Sequence, residues 1–186
     1  MIRMLQRFFD NPRLIGAISP SSPALARAMT RQLAEGMAVF EIGAGSGAIT
    51  RQILESTGAE TLVVFEQDPY FAECLRRRVG PTRVVEGFFH DTVGALDEIP
   101  DPLVILSSVP FKSLSNSLHF KTVDAICRIL LASPNRRLIQ YTYFNRPPFV
   151  PRNANLRWRY LTRVWSNIPP ATVWELRAGT DPKTAG

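Results

Sequence analysis

Two carboxylates and three glycines set out the chemistry this chain is equipped for. Glu41 lies at the end of an apolar run, residues 37–42, and glycines follow at alternate positions, Gly43, Gly45 and Gly47, with Ser46 between the last two. A second acid, Glu66, closes the next apolar run 19 residues beyond Gly47, with Gln67 directly after it. Alternate glycines let the backbone turn through positive φ and let a ligand come close to the main chain. A helical pattern begins at Ala48, so the free N–H groups of its first turn face the same ligand. A carboxylate at the strand end would repel a pyrophosphate and hold a cation. An acid at the end of the second strand is placed for both hydroxyls of a ribose. Together these residues ask for a nucleoside that also carries an amino acid, with its ammonium toward Glu41 and its ribose on Glu66.

The ends of the later apolar runs supply further candidates. Gly87-Phe88-Phe89-His90-Asp91 follows the third run. His90, whose ordinary pKa is near neutrality, is a candidate general base, and Gly87, Phe88 and Phe89 precede it at the same rim. Ser107, Ser108, Pro110 and Phe111 follow the fourth run, and Tyr143 ends the fifth. Tyr141 and Tyr143 are expected on opposite faces of their strand, so that Tyr143 alone reaches a substrate. Its ring face would attract a developing positive charge.

The elements that must position these residues alternate along the chain. Strands are predicted at 37–42, 61–65, 83–86, 103–107 and 137–143, with helices at 24–34, from 48, at 69–79 and at 118–131. Residues 160–165 and 171–176 read as two strands joined by 166–170. The stretch 145–158 carries Pro147, Pro148, Pro151, Arg146, Arg152, Arg157 and Trp158 and reads as a basic, aromatic loop. Strand–helix alternation predicts an α/β fold. The expected form is a doubly wound, Rossmann-like, seven-stranded sheet, mostly parallel with an antiparallel C-terminal hairpin strand. With 186 residues a single domain over 1–186 is expected.

Lys and Arg outnumber Asp and Glu by 22 to 16, a net charge of +6 that favours anionic partners, either nucleic acid or a membrane with acidic lipids. Residues 1–10 read as an amphipathic helix, with Leu5, Phe8 and Phe9 on one side and Arg3 and Arg7 on the other, the pattern of an interfacial membrane helix. Cys74 and Cys127 have no metal-ligand spacing and are expected as free thiols in a reducing compartment. No stretch has the length of a membrane span, and charges interrupt the N-terminus too early for a signal peptide, so a cytoplasmic location is expected.

S-adenosyl-L-methionine is a nucleoside bearing an amino acid, and the pair of acidic signatures resembles the class I methyltransferases that use it. Further elements narrow the resemblance: Gly16-Ala17-Ile18-x-Pro20-Ser21-Ser22, Ser108-Val109-Pro110-Phe111, Gln140-x-Thr142-Tyr143 and Asn167-x-Pro169-Pro170-Ala171-x-Val173-Trp174. With these the chain is similar to the bacterial phospholipid N-methyltransferases, relatives of the rRNA adenine dimethyltransferases. The resemblance implies methylation of phosphatidylethanolamine towards phosphatidylcholine. The enzyme would be a monomer without metal, held peripherally at the inner face of the cell membrane. It implies Glu41, Gly43, Gly45 and Gly47 in the cofactor loop, Glu66 on the ribose, and Ser107 and Ser108 beside the transferable methyl. One departure stands out: relatives often carry an acid after the glycine of the adenine loop, where this chain has Phe88, so the resemblance implies adenine recognition by backbone groups at Gly87 and by packing against Phe88 or Phe89. The alternative is an RNA adenine N6-methyltransferase. Against it, Ser108 takes the place of the asparagine that would hold the target amine, and no RNA-binding module is expected after the last strand.

Overall fold

The computed structural model describes residues 21–57, 62–79, 83–96 and 98–179; the expected amphipathic helix 1–10 lies outside them, as does the 16–22 loop up to residue 20. Ser22 caps α1 (Pro23–Thr30), its side chain accepting from the Leu25 N–H, while Pro23 fills the first turn, where a missing N–H costs nothing. The helix stops at Thr30, short of the predicted 34. There follow β1 (Ala38–Ile42), α2 (Ala48–Thr57), β2 (Leu62–Glu66), α3 (Pro69–Arg78), β3 (Arg83–Glu86), the one-turn α4 (Phe89–Thr92), β4 (Leu103–Ser107), α5 (Asn116–Leu131), β5 (Arg136–Thr142), β6 (Leu156–Val164) and β7 (Ala171–Ala178). Ser115 and Asp68 cap α5 and α3 with their side chains.

The strands form one seven-stranded sheet in the order β3-β2-β1-β4-β5-β7-β6. β1 to β5 pair in parallel, and β7 lies antiparallel between β5 and β6. Every residue of β1 and β4 is buried, because helices cover both faces of a central parallel strand. On one face α5 packs Val123, Ile126 and Leu130 against Phe40, Ile105 and Leu138. On the other, Leu25 and Met29 of α1, Ile53 of α2 and Leu75 of α3 cover Val39, Val64, Val104 and Ile139. Cys127 is buried and Cys74 half-buried, both as free thiols.

Because β7 opposes both its neighbours, β6 runs along with β5, and its end at Val164 reaches the same edge as Thr142; Thr142 and Arg163 both register with Thr172. The carboxyl ends of β1, β2, β3, β4, β5 and β6 therefore share one rim, where ligands bind in open α/β sheets.

The predicted loop through residue 158 is corrected here: β6 begins at Leu156, so Arg157 and Trp158 are strand residues. The Trp158 Nε1–H donates to the Phe149 carbonyl at 2.9 Å, and its ring packs edge-on against Phe149. Arg159 clamps the fully buried Glu175 of β7 through Nε and Nη2, at 3.0 and 2.9 Å. β6 is an edge strand with polar residues on both faces, so the alternation that would have marked it is blurred.

Candidate functional site

The glycine turn sits between β1 and α2 and is tied down on both sides. The Gly43 N–H donates to the Phe65 carbonyl at 2.8 Å, and the Ser108 N–H to the Ile42 carbonyl at 3.0 Å. Gly45 and Gly47 both have positive φ, 53° and 80°, for different reasons. A Cβ on Gly47 would strike the Leu75 side chain at 2.9 Å, so packing excludes it. A Cβ on Gly45 would meet no protein atom within 4 Å, so the space before it is open to a ligand. Ser46 is exposed at the tip of the turn, and its carbonyl accepts from Arg78.

Glu66, at the end of β2, is buried and held by main-chain donors: Oε2 accepts from the Gly45 N–H at 2.8 Å and Oε1 from the Asp68 N–H at 2.9 Å. Each oxygen keeps a second lone pair for a ribose hydroxyl. Gln67 beside it is exposed. Glu41 is only 1% exposed, and neither of its oxygens has a hydrogen-bond partner. Burial pushes its pKa up from 4.5 to about 7; the nearby Thr50 hydroxyl opposes this and the Glu66 charge adds to it. An orphaned buried carboxylate is costly, and a cationic ligand placed beside it would repay that cost. A cradle open at Gly45, an anchored acid for a diol and an unsatisfied acid for an ammonium fit S-adenosyl-L-methionine.

At the end of β4, Ser107 is fully buried and its Oγ accepts from the Val109 N–H at 3.2 Å. Gln140, paired in register with Ser107, donates from Nε2 to the carbonyls of Val109 and Tyr141 at 3.1 and 3.0 Å, fixing the Ser108–Pro110 turn against β5. Tyr141 and Tyr143 lie together, ring centroids 5.6 Å apart and edge to face. This corrects the expectation of opposite faces: strand alternation has a period of two, so residues two apart share a face. Burial raises the pKa of both; the hydroxyls of Ser21, Tyr143 and Ser108 around the Tyr141 phenol temper its shift, while Tyr141 reinforces that of Tyr143. Both are neutral phenols near pH 7. The result is a hydroxyl-rich cluster formed by Ser21, Ser108, Tyr141 and Tyr143. Neither Ser21 nor Gln140 was given a role from sequence. The motifs containing them were visible, but only the fold reveals that they meet.

Other expected site residues fall elsewhere. Phe89 is a core residue, its ring edge-on to Phe65 at 4.9 Å, and Phe111 is buried against Phe149. In each case the ring of an aromatic doublet or turn filled the interior rather than the cleft. Phe88 is the exposed ring of the Gly87 turn, and Pro110 begins the short turn after β4. The His90 side chain is 4% exposed, with Nδ1 3.0 Å from the Thr122 hydroxyl of α5. It stacks on Phe88, while the tyrosines pack with the opposite face of the sheet. The structure does not bring His90 and the tyrosine pair together.

The profile of the family described as "Ribosomal RNA adenine dimethylase" matches residues 5–143. An ornithine lipid N-methyltransferase of Singulisphaera acidiphila is 31% identical over 184 residues, covering 93% of each chain. A ribosomal RNA small subunit methyltransferase A of Treponema pallidum is 27% identical over 82% of this chain, which spans 55% of that protein. Among solved structures, TrmN from Thermus thermophilus superposes with a TM-score of 0.63 at 20% identity, covering 94% of this chain and 53% of TrmN. The 23S rRNA methyltransferase ErmE gives 0.58 at 20% identity, covering 87% and 69%. At such identities the structures speak for the fold alone, an α/β methyltransferase sheet.

Proposed function

Since the chain belongs to the ribosomal RNA adenine dimethylase family of class I S-adenosyl-L-methionine-dependent methyltransferases, we propose that it methylates the amine of a membrane-lipid headgroup. The observation that carries this reading is the similarity to a lipid N-methyltransferase across 93% of both chains. Phosphatidylethanolamine and its methylated intermediates, on the way to phosphatidylcholine, are the acceptors proposed first; ornithine lipids are the second group to assay. The enzyme would work peripherally, from the cytoplasmic side of the membrane, as a monomer. Residues 1–10, with Arg3, Leu5, Arg7, Phe8 and Phe9, would form its first anchor.

S-adenosyl-L-methionine is the cofactor, and when bound it supplies an electrophilic methyl group for in-line displacement. The Gly43–Gly47 main chain, Glu41 and Glu66 would hold it, with Gly87 and Phe88 beside the base. The reaction needs positioning above all. The acceptor must first lose a proton to bulk water to expose its lone pair. The neutral phenol oxygens of Tyr141 and Tyr143 can accept from its remaining N–H groups and aim that lone pair. The Tyr143 ring offers a cation–π surface to the positive charge that develops.

Tyr143→Ala should lower turnover on lipid by about tenfold or more while leaving cofactor affinity nearly unchanged. Tyr143→Phe should keep most of the activity if the ring face does the work. Equal damage by Phe and Ala would move the role to the hydroxyl. An RNA adenine is the second reading, favoured by the family profile and the net charge of +6. Labelled methyl in organic-extractable lipid, and not in structured RNA supplied at the same time, is the expected result; label confined to RNA would overturn the lipid reading.

A further inference from the structure

The rim of the sheet bears a second feature that cofactor binding does not use. Residues 112–120, 144–152 and 163–168 hold four cations, Lys112, Arg146, Arg152 and Arg163, and no carboxylate. On and beside this rim, three exposed aromatics each carry a cation over the ring: Lys112 Nζ at 4.0 Å from Phe144, Arg152 at 3.7 Å from Phe120, and Arg163 at 4.7 Å from Trp165. Among the described residues none of Lys112, Arg146, Arg152 and Arg163 has a carboxylate within 4.0 Å. Burial and the nearby Arg146 lower the Lys112 pKa, the mark of cations crowded without an anion.

The same segments carry exposed aliphatic and aromatic tips. Val150 and Ile168 are each 87% exposed and Trp165 is 72% exposed. Ile168 and Trp165 sit on the β6–β7 turn, which Asn167 pins to α1: its Oδ1 accepts from the Ser22 N–H at 3.2 Å, and its Nδ2 donates to the Pro169 carbonyl at 2.8 Å. The turn is thus held beside the tyrosine cluster, through Ser22 next to Ser21. A groove lined by Phe120, Val123, Phe149, Val150 and Arg152 lies on the flank.

We propose that this rim, Lys112–Phe120, Phe144–Arg152 and Arg163–Ile168, is a docking face for an anionic lipid bilayer. Its cations would meet headgroup phosphates while Val150, Trp165 and Ile168 enter the acyl boundary. This rests on the lipid reading above and deepens it, because docking here would bring the tyrosine cluster at the same rim toward headgroup depth. Charge alone would also suit RNA. The aliphatic tips favour lipid, since insertion into a bilayer rewards them and a polyphosphate chain does not.

The test is cosedimentation of the full chain with vesicles of phosphatidylcholine alone and of phosphatidylcholine mixed with phosphatidylglycerol. The native protein should bind the anionic vesicles, less so in high salt, and barely bind the neutral ones. The double variant Val150→Glu, Ile168→Glu should bind them about tenfold or more weakly. Its cofactor affinity and its transfer to a short-chain, monodisperse aminolipid should not change, which also shows that it folds. Undiminished vesicle binding by the variant would overturn the docking face, as would native protein that binds structured RNA but no vesicle. Native protein that binds vesicles through this face, yet methylates no lipid in either form, would instead overturn the substrate reading.

Discussion

Glu66→Ala should weaken cofactor binding by roughly a hundredfold to ten-thousandfold. The carboxylate stands to make two charge-assisted hydrogen bonds to a ribose, each worth about 1.5–3 kcal/mol, and each 1.4 kcal/mol is tenfold in affinity. Part of the loss would come from the loop. The Gly45 and Asp68 N–H groups both donate to this side chain and would lose their acceptor, loosening the turn that faces the ligand. Calorimetric titration with S-adenosyl-L-methionine reads the effect directly. Wild-type affinity in the variant would remove Glu66 from the ribose site.

The second large effect is tied to pH. Glu41 titrates at about 7 in the folded chain against 4.5 unfolded, chiefly because burial strips its charged form of water. The native state therefore binds the proton more tightly than the unfolded state does. The resulting stabilisation is complete below pH 4.5, falls as pH rises towards 7, and is gone above it, amounting to about 3 kcal/mol. Without cofactor, Glu41→Gln should be more stable than wild type at pH 8 by about this amount, with little difference at pH 4.5. Binding a cationic amino acid beside Glu41 demands the ionised form. Wild-type cofactor affinity should therefore weaken by up to about tenfold per pH unit below 7. Denaturant unfolding of both proteins at pH 5 and 8 checks the first point. Parallel pH profiles for the two would show that Glu41 is ionised at no cost.

The parallel half of the molecule was legible because its signals are local. A buried parallel strand is a short continuous apolar run, and β3 and β4 fell on their predicted residues, Arg83–Glu86 and Leu103–Ser107. The placement of Glu41, the glycines and Glu66 was legible for the same reason: they sit at strand ends whose shared rim follows from parallel pairing. The acceptor side was not. As proposed, it is assembled from Ser21 before α1, Ser108 after β4, and Tyr141 and Tyr143 at and just past the end of β5, far apart in the chain. The side-chain partners of aromatics also escaped. Phe89 and Phe111 follow turns as Phe88 does, yet only Phe88 stays exposed, and periodicity over three or four residues cannot distinguish them. Of the rim cations, Arg146 and Arg152 were read within a basic loop, while Lys112 and Arg163 were given no role; the place of Arg163 and Trp165 at this rim depends on β6 ending at the same edge as β5.

The account turns on which nitrogen receives the methyl group. The most direct measurement is one reaction holding the full chain, limiting labelled S-adenosyl-L-methionine, vesicles with phosphatidylethanolamine and ornithine lipid, and structured RNA, followed by mass-spectrometric fragmentation of each acceptor. The expected result is label on the amine nitrogen of a lipid headgroup, with the RNA unlabelled. Label on adenine N6 with unmodified lipid would contradict it.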